Sequence, residues 1–443
     1  MSGDPVRDDS ERVVRIEASG RELREALAPM LKDGHLTVLS AAHYHALREA
    51  LYKNTFRRAE GTPWPTAALE KGNARGLAQL RPTVIDQQPL LPPEEEEAWT
   101  KAMWRQREEL SDLDADVLDA LSALWLYQAR SPQDDAVADI DGLLAMRGIK
   151  PKRGGQGRRG GYEPEQRAEM LKALSHIQNL WLDMAEIEVY EEGARGGRSR
   201  TIKQTVQSRP FVITDRMGQV RLDGYMEVRK FIFRPGKVFA HFLMGPGQQT
   251  ALLSAKALKY DPYRQRWEKR LARYLSWQWR VKARNADYLR PYRVETLIEA
   301  VGERVDTRNP ARTRDRLEKC LDTLQRDGVI AAWQYDRWDE QLAGRKGWIL
   351  DWLQATVLIE PPDPVKDTYQ PLERRRVIEQ EPLPDSLGER IKRARKAKGL
   401  SQMQAAEELG ISQGYLSLLE RGKVRESQLS GQLRARLQDW LGS

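Results

Sequence analysis

Residues 387–424, LGERIKRARKAKGLSQMQAAEELGISQGYLSLLERGKV, carry the sharpest pattern in the chain. Leu387, Ile391 and Ala394 recur at helical spacing in a basic segment that Gly399 ends, so Leu387 to Lys398 reads as an amphipathic helix. Ser401 and Gln404 form a capping box: the hydroxyl serves a backbone N–H inside the next helix, and the amide reaches back to the cap. That second helix buries Ala405, Ala406 and Leu409 and stops at Gly410, which suits a left-handed C-terminal position. Ser412 then caps a third helix, which turns Leu416 and Leu419 inward and leaves Gln413, Gly414, Tyr415 and Ser417 on or beside the opposite face. Two alanines allow a close crossing, and the short Leu409-Gly410-Ile411 turn holds the third helix at an angle that fits a major groove.

The segments GLSQ, A-x-x-L-G-I-S and L-x-x-L-E-R-G-K resemble, without a gap, the Cro/repressor-type helix-turn-helix family, also called the XRE family. The resemblance implies that Gln402 holds a phosphate at the start of the second helix. It also implies that Gln413, Gly414 and Ser417, behind the Ser412 cap, face base edges, while Tyr415, Arg421 and Lys423 lie near the DNA backbone. Gly414 departs from the side-chain-bearing reader usual in the family, and glycine costs about 1 kcal/mol of helix propensity against alanine. A helical hairpin used only for protein contacts is the plainer alternative.

The remainder of the 443 residues leaves room for about three domains. A formal charge of +8 with 31% charged residues favours a nucleic-acid partner and a polar surface. One cysteine, Cys320, excludes an internal disulfide framework and a multi-cysteine zinc site, and its apolar helical stripe makes it a core residue. The polar opening MSGDPVRDDSER has no hydrophobic signal region and no apolar run approaches spanning length, so a cytoplasmic, bacterial, nucleoid- or plasmid-associated protein is expected.

In order along the chain, residues 1–105 read as a helical and irregular region. It has helices at 21–31 and 41–58, a short strand at 36–39, a proline- and glycine-rich linker at 59–93, and a polar helix opened by Glu94 to Glu97. Residues 106–248 read as a first winged-helix domain. Its helices are a stripe through Val117, Leu118, Leu121, Leu124 and Trp125, then 134–147 and 165–184; strands follow at 187–190, 201–207, 210–214 and 225–234. The order recurs in 249–360, with helices at 262–283, 292–301 and 310–327 and paired strands at 329–335 and 348–359, which suggests tandem winged-helix domains. A charged, proline-rich linker over 361–384 tethers the terminal domain, 385–443, closed by a last helix through Leu433, Leu437 and Trp440. The expected class is mainly α with small β wings (α+β), followed by an all-α helix-turn-helix.

Three basic segments in the central region are DNA candidates. In KPKRGGQGRRGG, glycines space Lys150, Lys152, Arg153, Arg158 and Arg159, so backbone and charges can approach phosphates closely. Arg195, Arg198 and Arg200 lie between two expected strands, where a wing would be. Arg308, Arg312 and Arg316 lie at the start of the 310–327 helix and on it, among Arg314, Asp315, Glu318 and Lys319. A solvated loop and a salt-bridged surface helix are the respective alternatives. Together with the long helix RQRWEKRLARYLSWQWR, this layout resembles, at a general level, the tandem winged-helix replication initiators of plasmids and mobile elements. The resemblance implies binding to repeated sites and opening of nearby duplex.

His43-Tyr44-His45 is similar to the metal-holding pair of rolling-circle nicking enzymes, with Tyr44 or Tyr52 as nucleophile. In SAAHYHALREALYK the histidines fall on a helix, however, where residues two apart diverge. His35, His176 and His241 are isolated, and no G-x-x-x-x-G-K-[ST] occurs. The expectation is a non-enzymatic protein without cofactor or metal that binds double-stranded DNA through helices at 412–421 and 310–327. It is read first as a replication initiator, with a second copy of itself and host replication proteins as candidate partners. A transcriptional regulator of a mobile element comes second and a nicking enzyme third.

Overall fold

The computed structural model describes residues 28–369 except 73, 84–92, 154–159, 194–196, 221–225, 245–246, 284–286, 288 and 307, and residues 387–442 except 421–423, 425–428 and 430. The chain divides into two compact units, Met1–Tyr369 and Gln370–Ser443. No helix among the described residues is long and apolar enough to cross a membrane.

In the larger unit β1 (His35–Leu39) and α1 (Ala42–Tyr52) are followed by three strands, β2 (Arg57–Ala59), β3 (Thr62–Ala68) and β4 (Gly76–Leu80). The proline, glycine and alanine content of 59–93 reads as a linker and 41–58 as a helix, but the helix ends at Tyr52, and β3 and β4, which include Pro63 and Pro65, lie in the expected linker. Both prolines precede the β4 pairing, which starts at Thr66, and they lie opposite an irregularity in β2, so neither removes a ladder bond there. Next come α2 (Pro93–Glu108) and α3 (Asp112–Gln128), the latter opened by a Ser111–Asp114 capping box.

From α3 onward an order of elements appears twice. The first pass runs α3, β5 (Ala136–Asp139), α4 (Ile140–Met146), α5 (Pro164–Gln178), a hairpin of β6 (Leu180–Gly193) and β7 (Gly197–Ser208), then β8 (Phe211–Val220) and β9 (Met226–Pro235). After α6 (Lys237–Leu243), β10 (Thr250–Ser254) and α7 (Lys256–Lys259), the second pass runs α8 (Arg266–Ala283), β11 (Tyr292–Arg293), α9 (Val294–Val301), α10 (Pro310–Arg326), β12 (Ala332–Arg337), α11 (Trp348–Gln354) and β13 (Thr356–Glu360). The sheets are β5-β9-β8 and β11-β13-β12. In each, the strand after the first helix pairs with the last strand, which pairs with the one before it. This helix-strand-helix-helix-strand-strand order is that of a winged helix, and it makes the class α+β with small antiparallel sheets.

The inserted hairpin β6–β7 belongs elsewhere: it extends the N-terminal strands into a five-stranded sheet, β2-β3-β4-β6-β7. The expected wing at Arg195, Arg198 and Arg200 is therefore corrected. Arg198 and Arg200 lie on β7, outside the winged-helix sheet, and Arg195 lies outside the described residues. In this module the strands of the winged-helix sheet that a wing would join are β8 and β9, and residues 221–225 between them lie outside the described residues. β10, which the sequence reading gave to the second domain, pairs antiparallel with β1.

Three further expectations change. Residues 134–147 split into β5 and α4, because Asp139 accepts from Gly142 N (3.0 Å) and starts the helix there. The 165–184 helix ends at Gln178, and Leu180 to Met184 pair with β4. The 348–359 apolar run is a helix followed by a strand, an ambiguity that a short apolar stretch cannot resolve by periodicity. Of the expected 21–31 helix, 21–27 lie outside the described residues and Ala28–Met30 form a single 3-10 turn. Most of the 361–384 linker also lies outside them, after a helical stretch at 363–369.

Buried ion pairs join the first helices of the two modules. Asp112, Asp116 and Asp119 share a face of α3. Asp112 takes Arg270 Nη2 at 2.8 Å, Asp116 takes Lys269 Nζ at 2.8 Å and an Arg273 nitrogen, and Asp119 takes Arg273 Nε at 2.7 Å. Arg48 Nη1 (2.7 Å) and the Tyr44 hydroxyl (2.9 Å) complete the Asp119 shell from α1. Arg270 also donates to the carbonyls of Val301 (2.7 Å) and Tyr52 (2.9 Å), at the C-terminal ends of α9 and α1. Asp116, Asp119, Lys269 and Arg273 are fully buried. Burial opposes the ionisation of Asp119, but Arg48 and Arg273 outweigh it and hold its carboxyl below the ordinary value. Burial brings the Lys269 ammonium down to about 8 against the pull of Asp116.

Among the described residues the smaller unit has four helices: α12 (Leu387–Ala397), α13 (Gln402–Leu409), α14 (Gln413–Glu420) and α15 (Gly431–Gly442). They enclose Ile391, Ala405, Ala406, Leu409, Leu416, Leu419, Leu433 and Leu437. Arg436 Nη1 donates to Leu409 O (3.1 Å) and, with left-handed Gly410, finishes α13.

Candidate nucleic-acid interface

In the smaller unit the Ser401–Gln404 capping box forms, and the Ser412 hydroxyl accepts from Tyr415 N at 3.2 Å to start α14. The outer face of α14 carries exposed Ser412, Gln413 and Gly414 and half-buried Ser417, while Tyr415 is half-buried against the core. Gln402 Nε2 donates to Glu420 Oε2 (2.7 Å), whose carboxylate also pairs with Arg395 Nε (2.6 Å). Burial works against the Glu420 charge, and Arg395 and Gln402 overcome it, keeping the carboxyl below its usual value. The carboxylate thus ties α12, α13 and α14 together and uses one amide hydrogen of the expected phosphate ligand Gln402. Arg421 and Lys423 lie outside the described residues.

The two winged-helix modules present different third helices. On α10, Asn309 Oδ1 accepts from Arg312 N, and Arg308 and Arg312 are exposed, with no ion pair among the described residues. Arg316, expected beside them, turns inward: its guanidinium lies over the Trp267 ring at 5.7 Å, donates to Arg264 O (2.9 Å) and lies 3.8 Å from Glu268. Of the acidic side chains mixed into the helix, Asp315 is exposed, while Glu318 and Asp322 are held within the module. Glu318 accepts from the Tyr335 hydroxyl (3.0 Å), and Asp322 accepts from Trp333 Nε1 (3.0 Å). Arg314 bridges Glu318 (3.0 Å) and Glu340 (3.2 Å), which fixes the start of the β12–β13 wing beside α10.

That wing carries a pair the sequence reading missed. Gly344 and Gly347 both have φ of 84°, in the left-handed region that favours glycine, and they bracket exposed Arg345 and Lys346. A G-R-K-G turn between a strand and an apolar run was the available signal. The apolar run after it, 348–359, reads as strand in the sequence, and nothing local marks the turn as a basic wing.

On α5 of the first module the exposed side chains are Pro164, Glu165, Ala168, Glu169, Lys172 and Ser175. Arg167 is held by Asp141 (2.6 and 2.7 Å) and Lys172 by Glu109 (2.7 Å). Nearby, His176 Nδ1 bonds Asp114 (2.6 Å) and Asn179 donates to Gln106 (3.1 Å), so the end of α2 and the start of α3 buttress the C-terminal half of α5. This face is acidic at its free end and offers a phosphate backbone little. The preceding basic loop is closed at its base by paired backbone bonds between Lys152 and Gly161 (2.9 and 3.0 Å). Lys150, Lys152 and Arg153 are exposed there, Lys152 pairs with Glu163, and Arg158 and Arg159 lie outside the described residues. Lys172→Gln is expected to change duplex affinity by less than about twofold in a titration, since its ammonium serves Glu109; a tenfold loss would put α5 on the DNA.

His43 and His45 lie on α1 and face different partners. His43 stacks on Phe242 (5.7 Å) and His45 on Trp277 (4.3 Å), while the hydroxyl of Tyr44 donates to buried Asp119 and that of Tyr52 to Ala300 O (3.3 Å). The two rings do not converge on a point, and the described residues contain no group of three His, Cys, Asp or Glu side chains arranged to hold a metal. Burial pushes both imidazoles down to about 4. Their folded values thus lie below the unfolded value of 6.5, so the folded state binds fewer protons between them, and stability falls as pH drops from about 6.5 to 4. The larger unit should lose several kcal/mol over that window, and His45→Phe should flatten part of the dependence in thermal melts at pH 7 and 4.5. Identical slopes in both proteins would contradict it.

A helix-turn-helix domain model matches residues 386–430. No curated protein matches the chain. Among solved structures, RctB domains 2-3 align at 11% identity, covering 73% of this chain and 99% of that one with a TM-score of 0.35. A selenomethionine form of domains 2 and 3 of RctB aligns at 11% identity over 63% and 85%, with a TM-score of 0.30. Likeness at that level decides neither fold nor function. The match and the α12–α14 geometry coincide, and they make the C-terminal unit a helix-turn-helix domain and the chain a DNA-binding protein.

Proposed function

We propose that the protein is a non-enzymatic, sequence-specific binder of double-stranded DNA that initiates replication of a plasmid or mobile element through several modules on one chain. α14 reads bases; Arg308 and Arg312 at α10, with Arg345 and Lys346 at the wing, hold flanking phosphates. The observation that carries this reading is the repeated winged-helix order locked by the Asp112–Asp116–Asp119 clamp, in a chain that also has a separate helix-turn-helix domain. A rigid pair of modules suits a long site, and tethering raises the effective concentration of each module at it. Control of a promoter by α14 alone, as a transcriptional regulator, is the second reading, favoured by the helix-turn-helix match itself.

The test is autonomous maintenance. DNA flanking the gene is placed on a selectable circle lacking any other origin, in cells supplied with the protein. Maintenance that is lost in Gln413→Ala/Ser417→Ala and also in Arg308→Gln/Arg312→Gln supports initiation. Promoter control without maintenance, insensitive to the second variant, would leave the regulator.

A further inference from the structure

Gly414 is a glycine that the fold of its own unit does not require. Gly388 lets α12 approach α14, since a Cβ there would come within 2.4 Å of Leu419 O. Gly399 and Gly410 have φ of 70° and 64° and end their helices. At Gly414, the second residue of α14, φ is not in the left-handed region and a Cβ would meet nothing within 4 Å. Glycine weakens a helix interior relative to alanine, so inside the unit this position gains nothing from lacking a side chain.

What lies beside it gives the omission a meaning. Ser417 and Leu418 follow Gly414 by three and four residues, so all three share one helix face. Leu418 is 44% exposed although its neighbours Leu416 and Leu419 are buried. One large apolar side chain thus stands one turn beyond a gap, beside Ser417 on the exposed side of the helix. A single exposed leucine is ordinary on a surface; one standing a turn beyond a position without a side chain, on a reading helix, suits an apolar group at the floor of the groove. In the major groove that group is the thymine 5-methyl, which only a T·A pair presents.

We infer that Gly414 and Leu418 form a notch that seats a thymine methyl group, with Gly414 letting the base edge approach closer than a Cβ would allow and Leu418 packing against the methyl. The inference rests on the proposed role of α14 as the base-reading helix. It sets a preference for T·A at one position, separate from the hydrogen bonds available to Gln413 and Ser417.

The test begins with selection of bound sequences from randomised duplexes by the full-length protein. Each thymine of the selected site is then replaced singly by deoxyuridine, which deletes only the methyl group. One replacement should weaken wild-type binding by about three- to fivefold. Leu418→Ala should bind the thymine and uracil duplexes equally. Gly414→Ala should bind the thymine duplex at least about tenfold more weakly while melting no lower than wild type, which separates a poorer fit to the base from loss of fold. Insensitivity to every uracil replacement, or Gly414→Ala binding as wild type, would overturn the notch while leaving α14 as the reader. Selection of the same sequence by Gln413→Ala/Ser417→Ala, or of no sequence by wild type, would remove the underlying reading as well.

Discussion

Asp116→Ala is expected to destabilise the 1–369 unit by about 3–5 kcal/mol, because it leaves the ammonium of Lys269 and the guanidinium of Arg273 buried without their shared carboxylate. Both cations are fully buried, and Lys269 would keep only the carbonyls of Ala257 (2.8 Å) and Leu258 (3.2 Å). Denaturant unfolding of the full chain, followed by tryptophan fluorescence, checks this, since the tryptophans at 125, 267, 277, 279 and 352 all lie in the larger unit. Asp116→Ala/Lys269→Met should recover part of the stability, as replacing both members of a buried pair by packed apolar groups is far milder than removing one. A single-variant effect under about 1 kcal/mol would mean that the clamp does not hold the modules together. Acid should act in the same direction. Asp119 ionises more readily in the folded chain, so its contribution is present above the unfolded carboxylate value and is lost as pH falls through the folded one.

Neutralising the second module, Arg308→Gln/Arg312→Gln/Arg345→Gln/Lys346→Gln, is expected to weaken specific duplex binding by about a hundredfold near physiological salt and to lower the salt slope by roughly 0.9 for each phosphate no longer neutralised. All four side chains are exposed, so the fold should survive, and the melting transition of the larger unit is the control. The sequence preference should persist, because these groups hold phosphates while α14 reads base edges. Weaker binding together with a changed preferred sequence would shift base reading to α10.

The helix-turn-helix was legible because each of its devices is local. The Ser401–Gln404 capping box, the Ser412 cap, the left-handed glycines and the apolar spacing of Leu416 and Leu419 lie within a few residues of what they control. The winged-helix order was legible in outline for a similar reason: α3, α8 and α10 have long periodic stripes, and Ser111 and Asn309 cap the first and last of them. The partners of strands far apart in sequence were not legible. Nothing near 180–208 says that β6 pairs with β4, about a hundred residues away, instead of continuing the module sheet. The reach of charged side chains was hidden in the same way. Arg312 and Arg316 are one turn apart with equal charge, and only the packing of α8 turns Arg316 onto Trp267 while Arg312 stays outside. The Asp112–Asp116–Asp119 stripe was read past altogether. Its cations come from residues 48, 147 and 269–273, and an acidic helix face alone reads as solvated.

The most direct test of the account is a footprint of the purified full-length protein on the DNA flanking its own gene, at near-physiological salt, beside the four-site variant of the second module. The account predicts discrete protection by the wild type. In the variant, a short core protected through the helix-turn-helix domain should remain while the flanking protection disappears. Only salt-sensitive smearing with the wild type, or an unchanged footprint in the variant, would contradict it.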